Sequence, residues 1–244
     1  MDLTTRASTV RVADAPLLTY YDDATGERAE LSAAALGGWA ARTAGLLRDG
    51  CGLGPGDRAA VLLPPHWQTA AVLLGAWSAG LSVSFRGYAT AGLPVLESGA
   101  DGPLDVVFVA RRRVDSWLDD VPEARHRFVL GPGPLPDVPA GYRDYAAEVA
   151  AYSGDLPPAP ARPDAAVSVD GTTFREWGSV ARGVAGVRDL RAGDRVLVDA
   201  ADHEHPLFWL LAPLSAGASV VLCANLRPDG VEARMAAEKV TRKF

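Results

Sequence analysis

Three short stretches of this chain carry residue types that could do chemistry. In "VDGTTFREWG" (169–178) a Gly-Thr-Thr follows a short apolar run and precedes a helical stretch, where a loop can turn backbone N–H groups toward a phosphate. In "DHEHP" (202–206) His203 and His205 stand beside Asp202 and Glu204, a start on a metal site. "GLGPGDR" (52–58) has the glycines of a phosphate loop. Each also has a plain structural reading. A third ligand for the two histidines is not apparent, so no metal is expected and His203 and His205 stay as possible ligand-lining residues. The glycines of 52–58 lead into a strand instead of joining a strand to a helix, which is the wrong context for a nucleotide fingerprint. Thr173-Phe-Arg-Glu176 reads as a capping box, with the Thr hydroxyl accepting from an early helical N–H and the Glu reaching back to the cap. Spacing alone assigns no Ser-His-Asp or Cys-His arrangement, and no catalytic residue is named.

The elements that must position these residues show themselves through an internal repeat. Shifted by 137 positions, "GDRAAVLLPPHWQTAAVLLGAWSAGLSVSF" (56–85) matches "GDRVLVDAADHEHPLFWLLAPLSAGASVVL" (193–222) without a gap, with twelve of thirty positions identical. Among the identities are Gly56/Gly193, Asp57/Asp194, Arg58/Arg195 and His66/His203. Self-similarity at a fixed offset marks duplicated supersecondary units. Each unit reads as strand, helix, strand: short apolar runs at 59–63 and 195–198, helices over 69–77 and 207–214, a Ser-Ala-Gly turn, then "LSVSF" or "ASVVLC". A helix precedes each. Leu36, Trp39, Ala40, Thr43, Leu46 and Leu47 mark the first, with Ser32 as N-cap and Gly50 as stop. Trp177, Val180, Ala181, Val184 and Val187 mark the core face of the second. Strands alternating with helices imply parallel sheets. The expected fold class is α/β, two similar parallel-sheet α/β lobes related by the repeat, over 1–150 and 163–244, with a Pro-rich linker at 151–162.

Composition narrows the function classes. A net charge of -6 gives nucleic acid no general reason to bind, and Arg111-Arg112-Arg113 is expected to be a solvated helix start. Two cysteines, Cys51 and Cys223, do not make a disulfide framework. No secretory signal is visible, so the cytoplasm is expected. The uncharged stretches 59–85 and 207–226 are interrupted by Pro, Gly and polar residues and are not expected to span a membrane. Trp39, Trp67, Trp77, Trp177 and Trp209 are expected to serve mainly as core.

The run from "LSAAALGGWAARTAGLLRDGCGLGPGDRAAVLLP" through "SAGLSVSF" resembles the opening of the adenylate-forming superfamily, which includes acyl-CoA synthetases and peptide-synthetase adenylation domains. "GDRVLVDAADHEHPLFWLLAPLSAGASVVL" followed by "AAEKVT" is similar to that family's second subdomain. The chain is also similar to short actinobacterial AMP-binding-like proteins. The resemblance implies the fold of the large N-terminal domain of acyl-CoA synthetases. It also implies a phosphate loop of the type T-S-G-T-T-G-x-P-K-G between the two units, where this chain has "VDGTTFREWG". Gly171, Thr172, Thr173 and Gly178 match that pattern. Asp170 replaces its Ser, Phe174 its Gly, Glu176 its Pro and Trp177 its Lys, while Arg175 is the nearby cation. Added carboxylates, a lost glycine and a lost ammonium all disfavour phosphate. The chain's lysines are Lys239 and Lys243, in its last six residues. The expectation is a pseudoenzyme without cofactor that binds a partner or small ligand; the alternative is the N-terminal half of a split AMP-forming ligase. Association is expected through the second lobe, as a homodimer or with a protein partner.

Overall fold

The computed structural model describes residues 15–85, 103–114, 116, 121–133, 135–154 and 163–244. They form two units, described separately. One contains the chain up to Gly37, residues 65–70 and residues 175–244; the other contains 38–64 and 71–174.

In the first unit β1 (Pro16–Asp22) and β2 (Arg28–Ser32) form an antiparallel hairpin, and β1 lies parallel to β9 (Ser219–Ala224), with Leu18 opposite Val220. Beyond β9 come β8 (Arg195–Asp199) and the short β10 (Arg242–Lys243), so the sheet runs β10-β8-β9-β1-β2. Leu197, Val221 and Cys223 are fully buried on one face, with Tyr21, Leu226, Met235 and Val240 packed on them. β9 is buried through Ser219–Cys223, as expected of a parallel strand covered on both faces. Between β8 and β9 the chain makes a π-helical turn at Leu207–Leu211 that continues into α6 (Ala212–Ala216). After β9, α7 (Val231–Ala237) returns the chain to β10.

In the second unit the sheet order is β4-β3-β5-β6-β7, from β3 (Arg58–Leu62), β4 (Ser82–Phe85), β5 (Leu104–Ala110), β6 (Ala124–Leu130) and β7 (Arg143–Asp144), all parallel. Ala60, Leu62, Val107 and Val109 form a buried cluster on one face, and Phe108 stacks on Phe128 at 5.3 Å. Helix α1 (Ala33–Gly45) begins at the expected cap, with the Ala35 N–H donating to Ser32 Oγ at 3.2 Å, and passes into a π-helical turn at Leu46–Gly50. Helix α2 (Trp67–Ala79) joins β3 to β4, and its Gly75 lets Thr43 of α1 approach closely. The short α3 (Arg111–Val114) and α4 (Tyr145–Val149) complete the unit.

The two strand-helix-strand segments agree in local detail at the 137-residue offset. Arg58 pairs with Ser82, and Arg195 with Ser219. The Ser82 N–H donates to the Asp57 carbonyl, and the Ser219 N–H to the Asp194 carbonyl. Gly56, Gly80, Gly193 and Gly217 all have positive φ, so the turns before and within each segment need glycine at the same places. The Asp57 and Asp194 carboxylates accept from the Gly54 and Arg191 N–H groups, which makes them turn residues.

Three expectations need correction. Residues 16–32, expected in the first lobe, lie in the sheet of β8 and β9, because β1 pairs with β9. Arg113 is not solvated; it is 1% exposed. Helix α5 (Phe174–Val187) buries Gly178, Ala181 and Ala185, whereas Val180 and Val187 of the expected core face are 51% and 87% exposed. Trp77 and Trp209 are buried, and Trp39, Trp67 and Trp177 are half-buried. Most of the proposed linker, 155–162, lies outside the described residues. Among those residues, no helix is long and apolar enough to cross a membrane.

Candidate functional site

The stretch at the phosphate-loop position is a tight β-hairpin. Ala166 and Thr173 form an antiparallel bridge, and Ser168 bridges in parallel to Val83 of β4. The hairpin thus extends the sheet of the second unit beyond β4. Six of its N–H groups are spent inside the protein. Those of Val167 and Ser168 donate to the Thr172 carbonyl at 2.8 and 3.3 Å, and that of Gly171 to the Ser168 carbonyl at 3.1 Å. That of Val169 donates to the Val83 carbonyl at 3.4 Å, that of Phe174 to the Ala165 carbonyl at 3.1 Å, and that of Thr172 to Asp170 Oδ1 at 2.9 Å. The Val167 carbonyl accepts from Val83 N–H at 2.9 Å and from Trp77 Nε1 at 3.1 Å, which anchors the hairpin. Gly171 turns it at φ +91°, a conformation glycine adopts without steric cost.

Asp170 and Gly171 are exposed at the tip, and Thr172, Thr173 and Phe174 are half-buried. Partial burial pushes the Asp170 carboxyl up, but hydrogen bonds from Thr172 and Ser168 outweigh it and hold the group below the ordinary carboxylate range. The tip is therefore anionic at neutral pH. Helix α5 starts at Phe174, immediately after Thr173, with Glu176 in its first turn. This is the register a Thr173 cap requires. We expect Thr173→Ala to lower stability by about 0.5–2 kcal/mol, as loss of an N-cap does; a denaturation midpoint unchanged from wild type would remove the cap from the account. Arg175 and Glu176 are exposed, Gly178 is buried, and the Trp177 ring lies 5.5 Å from the His205 ring.

The two histidines of "DHEHP" do different work. His205 Nδ1 accepts from the Leu207 N–H at 3.2 Å, at the start of the helical turn leading into α6. His203 packs against Phe208 and Phe244, with ring centroids 5.7 Å away in each case. Burial lowers the His203 pKa from the ordinary imidazole value and the Arg188 charge adds to that, so the ring is neutral at pH 7. Among the described residues no group of three His, Cys, Asp or Glu could hold a metal ion. His66 matches His203 by sequence offset, yet its local hydrogen bond matches that of His205: its Nδ1 accepts from the Gln68 N–H at 3.2 Å. Its Nε2 then donates to Glu27 Oε1 at 3.1 Å, and Trp67 Nε1 donates to the same oxygen at 3.3 Å. Hydrogen bonding to His66, opposed by partial burial, holds Glu27 below its ordinary range. Both imidazole nitrogens of His66 are occupied, which fits a positioning role and leaves no lone pair to act as a base.

An ionic cluster that the sequence did not announce lies at the β8–β9–β1 end of the first unit. Arg195 Nη2 donates to Glu238 and, at 2.8 Å, to Thr19 Oγ1, while its Nε donates to the Glu238 carbonyl at 2.7 Å. Tyr21 donates its hydroxyl to Glu238, and Arg28 Nε donates to the Tyr21 hydroxyl at 2.9 Å. Arg234 lies 4.2 Å over the Tyr21 ring and donates to Asp23 Oδ1 at 2.7 Å. A signal was present in the repeat, since Arg58 and Arg195 are identical, but the partners come from Tyr21 and Glu238, 217 residues apart. Both cysteines are free and buried, as the absence of a disulfide framework implied.

Over 236 residues the chain is 39% identical to a "TIGR03089 family protein" of Mycobacterium tuberculosis, an alignment covering 93% of this chain and 90% of that one. The chain belongs to the TIGR03089 family. No family model matches it. Solved structures place the fold of this TIGR03089 family chain. The acyl-CoA synthetase of Brucella canis superposes with a TM-score of 0.73 at 19% identity, covering 100% of this chain and 47% of that one. Acetoacetyl-CoA synthetase from Streptomyces lividans gives 0.71 at 21% identity, covering 100% and 42%. The chain therefore has the fold of the N-terminal domain of acyl-CoA synthetases and other AMP-binding ligases. The chain spans less than half the length of either of these two ligases.

Proposed function

We propose that this chain is a non-catalytic form of the acyl-CoA synthetase N-terminal fold, a pseudoenzyme that acts by binding a protein partner or a small ligand. The observation that carries the proposal is the hairpin at 165–174. A phosphate cradle needs several backbone N–H groups aimed at the anion, with a cation beside them. Here the N–H groups of Val167, Ser168, Val169, Gly171, Thr172 and Phe174 already donate within the protein, and the tip carries the Asp170 carboxylate. Trp177 stands where the matched pattern has lysine. The agreement of 56–85 with 193–222 in sequence and local hydrogen bonding is read as duplication of one strand-helix-strand unit.

The proposal predicts no heat of binding and no thermal shift with millimolar ATP and Mg²⁺, and no carboxylic-acid-dependent exchange of pyrophosphate into ATP. Calorimetry against ATP, AMP, CoA and acyl-CoA in parallel distinguishes nucleotide, thioester and no-ligand outcomes. Exchange with any carboxylic acid would overturn the proposal. It would favour the N-terminal half of a split ligase, with Arg175 as the first residue to test as the replacement cation.

A further inference from the structure

His126, near the start of β6, has a guanidinium at each ring nitrogen. Arg125 Nε lies 3.2 Å from its Nε2, and Arg143 Nη2, from β7, lies 3.2 Å from its Nδ1. The ring also hydrogen-bonds the backbone carbonyl of Cys51, the residue that follows the π-helical turn at Leu46–Gly50. A guanidinium has donors only, whereas a neutral imidazole has one N–H and one acceptor nitrogen. The carbonyl takes the N–H, so the other nitrogen accepts from its arginine. Neutral His126 is thus matched in either tautomer. A second proton would set an N–H against guanidinium N–H groups and place a third positive charge between two others.

The same arginines hold Cys51. Arg143 Nη2 lies 3.2 Å from Cys51 Sγ, and Arg125 Nη2 donates to the Cys51 carbonyl at 3.3 Å. Cys51 is 7% exposed. Arg143 also lies 4.3 Å over the Phe128 ring, and its Nη1 donates to Glu148 Oε2 of α4 at 3.4 Å. From β5 the Asp105 charge favours protonation of His126, while Asp105 Oδ2 accepts from the Arg58 N–H at 2.9 Å. The neighbouring Arg127 is engaged by Tyr142 and Glu123 instead. Burial, followed by the charges of Arg143 and Arg125, outweighs Asp105 and the Cys51 carbonyl and holds the His126 pKa below its ordinary value.

We propose that His126 is an acid-sensitive latch over Cys51: neutral, it fixes Arg143 against the thiol, and protonated, it repels Arg143 and lets the Cys51 segment open to solvent. The closed latch takes up a proton poorly and the open one takes it up as an ordinary imidazole does. Holding power is therefore complete above the ordinary value of about 6.5 and declines as pH falls below it. The open fraction should rise about tenfold between about pH 7.5 and 5.5. The latch lies wholly within the second unit and does not depend on whether the chain binds nucleotide.

Labelling of the full chain with a dipyridyl disulfide tests this, with each cysteine assigned by peptide mass mapping. The Cys51 rate, divided by that of a cysteine peptide at the same pH, is expected to rise about tenfold from about pH 7.5 to 5.5. Cys223, fully buried in the other unit, is the internal control. His126→Gln keeps an acceptor for an arginine and a donor for the Cys51 carbonyl but does not titrate, so its Cys51 ratio is expected to stay flat. A flat wild-type ratio overturns the proposal, as does a folded His126→Gln that keeps the rise. A rise shared equally by Cys223 is general acid opening and also overturns it. Should His126→Gln lose its native circular dichroism spectrum, the wild-type His126 ring resonance decides. Its titration midpoint is expected below about 6.5, and a midpoint at or above that value overturns the latch.

Discussion

Replacing Glu238 by glutamine is expected to lower stability by about 3–5 kcal/mol, the range for breaking one side of a buried ion pair. The Glu238 side chain is 9% exposed and that of its partner Arg195 is 14% exposed. Glutamine keeps the shape and one acceptor but removes the charge. Arg195 would retain Thr19 Oγ1 and the Glu238 carbonyl as acceptors, and its positive charge would be left among buried strands. Adding Arg195→Met should recover much of the loss, because it removes the unpaired charge and leaves a neutral glutamine that the Tyr21 hydroxyl can still hydrogen-bond. A double variant as unstable as the single would mean that the hydrogen bonds matter more than the charge.

The same site sets an acid limit. Burial alone would push the Glu238 carboxyl up, but the Tyr21 hydroxyl and the Arg195 guanidinium outweigh it and hold the pKa below its ordinary value. A carboxylate with a depressed folded-state pKa contributes stability that is complete above its unfolded value, near 4.3, and is lost as pH falls through the folded value. Asp23 shifts in the same direction: burial opposes the shift, while Arg234 and the Arg227 amide outweigh it. Asp194 does likewise through Thr241 and the Arg191 amide. Denaturation curves are therefore expected to be flat with respect to these groups from pH 7 to about 5 and to fall steeply below about 4. Glu238→Gln should show a shallower fall than wild type over that acid range.

Gly75→Ala is expected to destabilise by about 2 kcal/mol, against the usual gain when a helical glycine becomes alanine. A Cβ at that point would lie 2.4 Å from Thr43 Cβ and 2.8 Å from the Ala40 carbonyl oxygen. Backbone cannot rotate away as a side chain can, so α1 and α2 would have to separate. Thr43 also accepts or donates a buried hydrogen bond of 2.7 Å with the Tyr145 hydroxyl, which that movement would stretch. Gly37→Ala in α1, where a Cβ meets nothing within 4 Å, is the control and should stabilise by up to about 1 kcal/mol. If both variants shift the melting temperature the same way, close approach at Gly75 is not what holds that glycine.

Local patterns made much of this protein legible. Short apolar runs between glycine turns marked β3, β4, β8 and β9, because a strand buried on both faces must be apolar throughout. Ser32 and Gly50 marked the ends of the first helical region, and the resemblance to adenylate-forming enzymes pointed to the fold that the solved structures share. The residue types at 170–177 were also readable, being a matter of which residues are present. What could not be read was where distant parts meet. Leu18 pairs with Val220, 202 positions further along the chain, and nothing in either strand names the other. Periodicity marked α5 as a helix without deciding which arc would be buried, since Gly178, Ala181 and Ala185 form a second arc beside the valines. The arc of small residues is the buried one, and which arc meets the neighbouring elements is a property of packing in three dimensions.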